Sequence, residues 1–208
     1  MEHFYLNRIY PTLEDTSGIR IEHTANNPDK PLCFFGVLCT DKGLSIKKDM
    51  MSWLSEEYNV YTVYQDFPGK YFEYPTLRFM QYYMLKNNIP YALYLHTKGA
   101  YNENLLQAGV RNMWKSEFVK NKKKYIDAIN FNKTSVVAPL SGIRKETWFN
   151  GFFATKEAME LAPLEEPNKD RYFYERLFEN VDEVSIIGLM RNLTYAGEAI
   201  KTSAAYIR

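Results

Sequence analysis

The sequence predicts an α/β fold: a single Rossmann-like domain with a central, mostly parallel sheet and helices on both faces. Three observations carry that expectation. The run LCFFGVLC (Leu32 to Cys39) is almost continuously apolar, the composition of a strand covered on both sides. Strand-like and helix-like periodicities alternate from there to His96. The second strand, NVYTVYQDF, follows the first after the length of one βαβ unit.

Taken in order, the polar, turn-rich residues 1–30 (ending HTANNPDKP) read as an N-terminal arm. After the first strand, LSIKKDMMSWLSEEY places Ile46, Met50, Trp53 and Leu54 on one helical face. The next helix, YPTLRFMQYYMLKNN, does the same with Leu77, Met80, Tyr83 and Met84, and Pro75 stands in its first turn, where a missing N–H costs nothing. YALYLH is the third buried strand. One long helix is expected from Asn104 to Ile129, with Val110, Met113, Trp114, Phe118, Tyr125 and Ile129 inward. SVVAPL reads as a strand, TWFNGFFA as a strand or turn entering the helix TKEAMELA, DRYFYERLFEN as a helix and VSIIGL as a last strand. The final 20 residues receive no assignment.

Charge excludes little locally but much globally. With 26 Lys+Arg against 25 Asp+Glu, the formal charge of +1 gives no general attraction to nucleic acid or an anionic membrane. The longest apolar run, Pro31 to Cys39, is too short to span a bilayer, and MEHFYLNRIY is charged where a secretory core would lie, so a soluble, cytoplasmic protein is expected, peripheral to a membrane at most. Cys33 and Cys39 on one strand are roughly 20 Å apart at about 3.3 Å per residue, beyond disulfide reach. With three histidines and no metal-site spacing, a structural zinc is not expected.

In a sheet of this kind ligands bind beyond the carboxyl ends of the strands, which selects Thr40 to Gly43, Gln65 to Tyr74 and His96 to Ala100. No GxGxxG, Walker-type GxxxxGK[ST] or GxSxG occurs. His96-Thr97-Lys98-Gly99 directly follows a buried strand, and a His, a hydroxyl and an ammonium converging there suit a phosphate or diphosphate. A loop with a solvated lysine has the same composition. In FEYPTLR, Glu73 suits a ribose or sugar hydroxyl and Arg78 a phosphate; helix capping and a surface arginine are the plainer alternative. WFNGFFA gathers aromatics around Asn150-Gly151, either a wall for a sugar ring or ordinary core. Arg171 and Glu175 share a helical face, as a surface ion pair also does. The run NKKKY lacks interleaved aromatics and reads as a solvated face rather than a nucleic-acid platform.

Taken together, EYPTL, LYLHTKG, VRNMW, NGFFAT and RYFYE resemble the small glycosyltransferases of bacterial surface-polysaccharide clusters, and of algae and their large viruses, with the pattern YEFPTL, LYLHTKG, V-x-x-W, GNFWWA and RY-x-x-E. The similarity spans about residues 58 to 180. It implies a GT-A-like fold, a nucleotide-binding half over residues 31–100, and an acceptor half with tail over residues 101–208. It also implies transfer of a sugar from a nucleotide donor, UDP-linked as is commonest in such enzymes, to a glycan or lipid-linked glycan. The positions it marks are Glu73, Thr76, His96, Thr97, Lys98, Gly99, Trp114, Asn150, Arg171 and Glu175.

Thr40 and Arg78 join the expected donor site, and Trp148, Gly151 and Phe152 join Asn150 as acceptor or sugar contacts. Two departures stand out. Gly-Asn-Phe-Trp-Trp-Ala is here Phe149-Asn150-Gly151-Phe152-Phe153-Ala154, and no Asp-x-Asp occurs to hold Mn²⁺ or Mg²⁺ on the diphosphate. Lys98, with His96 and Arg78 or Arg171, is expected to supply that charge; a metal on a lone carboxylate such as Asp66 is the alternative. An inverting reaction needs a base, for which Glu175 and Asp66 are candidates and Asp170 a reserve. A non-catalytic glycan- or nucleotide-binding module is the competing reading, and a basic-helix nucleic-acid binder, marked by steep salt dependence, is the third.

Overall fold

The computed structural model describes residues 2–13, 15–24, 27–66, 71–97, 100, 105–130, 134–142, 144–147, 150–170 and 172–190. In chain order the elements are α1 (Glu2–Ile9), β1 (Ile19–His23), β2 (Leu32–Leu38), α2 (Asp41–Glu57), β3 (Asn59–Gln65), α3 (Tyr74–Asn87) and β4 (Tyr91–His96). They continue with α4 (Leu105–Lys115), α5 (Lys122–Asn130), β5 (Ser135–Ala138), β6 (Phe152–Thr155), α6 (Lys156–Leu161) and β7 (Ser185–Gly188).

The strands form one seven-stranded sheet in the order β1-β3-β2-β4-β6-β5-β7. Its centre is parallel: β2 pairs in parallel with β3 on one side and β4 on the other. β1 runs antiparallel along β3, and β6 antiparallel between β4 and β5. β2 earns its central place by composition, since Cys33, Phe34, Phe35 and Val37 are all fully buried. Strand periodicity sends Phe34 to one face, against Leu77 and Met80 of α3 with Ile9 of α1, and Phe35 to the other, against Met50 and Trp53 of α2 with Trp114 of α4. Each such side chain contributes about 2 kcal/mol by leaving water. The expected α/β sheet with helices on both faces is therefore present. Among the described residues, no helix is long and apolar enough to cross a membrane.

Both helices of the first half start by chemistry visible in the sequence. Thr40 caps α2, its side chain accepting from the Gly43 amide at 3.0 Å. α3 opens with Tyr74-Pro75 and ends at Asn88, whose φ of 52° is the left-handed conformation that asparagine tolerates.

Three expectations are corrected. The N-terminal arm is not an arm: α1 buries Leu6, Ile9 and the following Tyr10, while β1 completes the sheet edge. Tyr10 Oη donates to the Pro75 carbonyl at 2.7 Å, fastening α1 to α3. The single helix over 104–129 is interrupted by a π-helical turn, Ser116–Lys120, where the Asn121 amide reaches back to the Ser116 carbonyl at 3.2 Å. That turn carries Glu117, a buried carboxylate that accepts from Tyr125 Oη at 2.8 Å and Asn121 Nδ2 at 2.9 Å. Finally, DRYFYERLFEN is not a helix; Tyr174–Arg176 forms one 3₁₀ turn. Side chains capture its backbone donors: Asn168 Oδ1 accepts from the Asp170 amide and Asp170 Oδ1 from the Tyr172 amide.

Candidate functional site

Connectivity places the site before any side chain is considered. From β2 the chain turns through α2 to β3 on one side; from β3 it crosses through α3 to β4 on the other. From β4 the chain goes on through α4 and α5 to β5 on the far side, so strand order reverses between β2 and β4, and their carboxyl ends are the binding position of an open α/β sheet. Hydrogen bonds hold this edge in shape. Thr97 donates its amide to the Gly36 carbonyl at 2.9 Å and accepts from the Leu38 amide through Oγ1 at 3.2 Å. Thr40 Oγ1, besides capping α2, donates to the Ala100 carbonyl at 3.4 Å.

Around this edge the structure gathers polar side chains that no other described residue satisfies. Thr76 Oγ1, Tyr94 Oη, Trp114 Nε1 and both ends of the Asn150 carboxamide are buried and make no hydrogen bond among the described residues. All four residues are fully buried. Their neighbourhood can be traced contact by contact. Thr76 packs on Gly36, where a Cβ would lie 2.7 Å from its Oγ1, and Gly36 is paired in register with His96. The His96 ring meets Trp114 edge-on at 5.6 Å and lies 6.0 Å from the Tyr94 ring, two residues earlier on the same strand face. Trp114 in turn rests on Gly151, where a Cβ would come within 2.5 Å of Nε1, and Asn150 immediately precedes it. Tyr94 also pairs with Phe152, ring to ring at 5.2 Å.

An orphaned buried polar group costs about 1–3 kcal/mol, and folded proteins carry few of them. Several together at a sheet's carboxyl edge, unbonded among the described residues, are groups that a ligand or ordered water can complete. Asn150 adds a backbone feature, a φ of 56°. Its amide still donates to the Thr147 carbonyl at 3.0 Å, so a local turn holds the carboxamide in place. Burial, followed by the charge of Glu73 and the neighbouring Tyr174, pushes the Tyr94 phenol well above its ordinary pKa. It stays protonated and remains a donor.

The expected site residues divide accordingly. Thr76, His96, Trp114, Asn150, Gly151 and Phe152 come together. Glu73 stands half-buried at the N-cap position of α3, without a side-chain hydrogen bond to the helix end, and its charge pushes the Tyr94 and Tyr174 phenols up. Glu175 is tied to the same region, its carbonyl accepting from the Thr147 amide at 2.8 Å. Asp66 lies elsewhere: it follows β3, three strand spacings or about 14 Å from β6, and pairs with Arg20 at 3.8 Å. Asp170 is engaged by Arg176 at 2.6 Å. Among the described residues no three His, Cys, Asp or Glu side chains are grouped to hold a metal ion. Lys98, Gly99, Trp148 and Arg171 lie outside the described residues.

Arg78 takes a different part from the expected phosphate contact. Its Nε donates to the Ile9 carbonyl at 3.1 Å, closing the end of α1, and its Nη1 donates to Gln81 Oε1. Arg78→Met is expected to lower stability by about 1.5 kcal/mol, the range for a charged hydrogen bond, while leaving nucleotide affinity near wild type; paired melting and titration curves check both halves. The lysine run is likewise partly engaged, Lys122 with Glu57 and Lys123 with Asp127 at 2.6 Å.

Sequence reasoning missed Tyr94 and Gly36, which read as strand filler. The available signals were Tyr94 two residues before His96, hence on its face, and a glycine inside a strand, which marks close approach by another group. Fold and site together define an α/β protein with a mixed sheet and a cluster of buried hydroxyl, indole and carboxamide groups at its switch point. Comparison with protein-family models, curated proteins and solved structures found no match to this chain.

Proposed function

We propose that this protein is a glycosyltransferase with a GT-A-like fold, moving a sugar from a UDP-linked donor to a glycan or lipid-linked glycan of surface-polysaccharide or glycoprotein synthesis. The observation that carries the reading is the set of buried hydroxyl, indole and carboxamide groups, without partners among the described residues, at the switch point of the sheet. Those groups complement a polyhydroxylated ring, and nucleotides bind such sheets at that position. The motif resemblance supports the same reading through HTKG and EYPTL, whose His96 and Thr76 meet at Gly36.

Roles of the described residues follow from their placement, and those of Lys98, Gly99 and Arg171 from the motif resemblance. The donor sugar lies against Asn150, Tyr94, Thr76 and Trp114, with Glu73 at its margin. His96, Thr97, Lys98, Gly99 and Arg171 serve the nucleotide diphosphate, and Lys98 neutralises the charge that develops as the glycosidic bond breaks. If the reaction inverts, Glu175 is the better-placed base, because its backbone joins the turn that carries Asn150, whereas Asp66 lies strands away.

The test is turnover of a panel of nucleotide sugars, followed as release of the nucleoside diphosphate with and without glycan acceptors. Lys98→Ala is expected to cut turnover about a hundredfold. Near-normal turnover in that variant removes Lys98 from the chemistry. Nucleotide-sugar binding without any turnover assigns the fold to a binding module instead.

A further inference from the structure

We propose, resting on the glycosyltransferase reading, that the sugar held by Asn150, Thr76, Tyr94 and Trp114 is an uncharged hexose-type ring, and that uronic acids are excluded.

The argument is one of hydrogen-bonding type. A carboxamide offers two donors and an acceptor, the Thr76 and Tyr94 hydroxyls each donate and accept, and the indole donates. Sugar hydroxyls are donors and acceptors in the same measure, so this mixed, neutral set matches a ring bearing hydroxyls or an amide. A carboxylate needs donors alone, and preferably a guanidinium or ammonium. The described cation nearest along α3, Arg78, is spent on the Ile9 carbonyl and Gln81. The carboxylate one helical turn before Thr76 is instead Glu73, half-buried at the N-cap of α3 and of the same sign as a uronate. Desolvating a second negative charge beside it is unfavourable, and like charges at close quarters discriminate strongly. Gly36 and Gly151 let the Thr76 hydroxyl and the Trp114 indole pack directly on the strand ends, which fixes both groups rather than leaving them to rotate toward other partners.

The experiment is calorimetric titration of the full chain with UDP, UDP-glucose and UDP-glucuronate, alongside saturation-transfer NMR with methyl glucoside, methyl mannoside and glucuronate. The neutral compounds are expected to bind about a hundredfold tighter than their uronates. Tyr94→Phe and Thr76→Val, near-isosteric changes that delete only hydroxyls without partners among the described residues, are expected to weaken neutral-sugar binding about tenfold each without lowering the melting temperature. Equal binding of glucuronate, or unchanged neutral-sugar binding in both variants, overturns the inference. Neutral-sugar binding at this cluster with no nucleotide binding sustains it and overturns the glycosyltransferase reading; nucleotide binding with no preference for neutral sugars does the reverse. Absence of binding by every probe overturns both.

Discussion

Asn150→Gly is expected to abolish sugar binding, and with it at least about a hundredfold of turnover, while leaving the protein about as stable as before. The two effects separate because the side chain and the backbone of Asn150 do different work. The backbone sits at a φ of 56° and donates to the Thr147 carbonyl, and glycine adopts that conformation freely. The carboxamide is fully buried with neither end hydrogen-bonded among the described residues, so deleting it removes a penalty of about 1–3 kcal/mol. Against that stand a small cavity and the extra freedom of glycine in the unfolded chain, about 1 kcal/mol each. The sum is near zero, which for a chain of this size is a melting shift within about 4 °C. Turnover falls because a preorganised polar contact to the ring is gone. A drop in stability with unchanged turnover contradicts this assignment and makes Asn150 a turn former only.

Gly43→Ala is expected to cost about 3 kcal/mol, or a melting temperature lower by about 6–12 °C. A Cβ at Gly43 would lie 2.0 Å from the Leu38 carbonyl oxygen and 3.2 Å from Thr40 Oγ1. The obstacle is main chain of the adjoining strand, so no side-chain rotation relieves it; α2 must shift relative to β2. The same shift disturbs Thr40, which caps α2 and reaches the Ala100 carbonyl, so substrate binding should weaken together with stability. Leu44→Ala is the control: Leu44 is 44% exposed, and its change should fall within about 0.5 kcal/mol. Equal stability for the glycine variant and the control would contradict the close packing of α2 on β2.

The centre of the fold, β2 to β4 with α2 and α3, was legible because local periodicity and tertiary burial agree there. Ile46, Met50, Trp53 and Leu54 are spaced as a helix spaces its buried face, and all four are buried. The N-terminal segment was not legible, because its buried residues, Leu6, Ile9, Tyr10, Leu13 and Ile19, find partners only once α3 and β3 exist. The π turn was invisible for a related reason. Its cause is tertiary: Glu117 is fixed by Tyr125 and Asn121, and the Phe118 carbonyl accepts from Tyr58 across the sheet face. The segment around Tyr174 carries helix-forming residues, but Asn168 and Asp170 before it bond to backbone amides and set a turn instead.

At the site, HTKG and EYPTL were readable as polar residues at strand and helix ends, and the structure joins them at Gly36. Which polar groups are left without partners was not readable, since Tyr94 and Trp114 carry the same apolar bulk as any core aromatic. Only the packing around them shows that the Tyr94 hydroxyl and the Trp114 N–H are buried yet unbonded among the described residues. Arg78 misled for the opposite reason: a cation near a presumed phosphate site is occupied by a helix end that the sequence did not announce.

The most direct test of the glycosyltransferase account is thermal stabilisation by UDP, GDP, CMP and dTDP, each with Mn²⁺, with Mg²⁺ and with EDTA. A ligand that binds only the folded chain at a hundredfold excess over its dissociation constant adds about 2.7 kcal/mol. The account predicts selective stabilisation by UDP, with the shift persisting in EDTA if Lys98 carries the diphosphate and vanishing if a metal does. No stabilisation by any of the four nucleotides would contradict it.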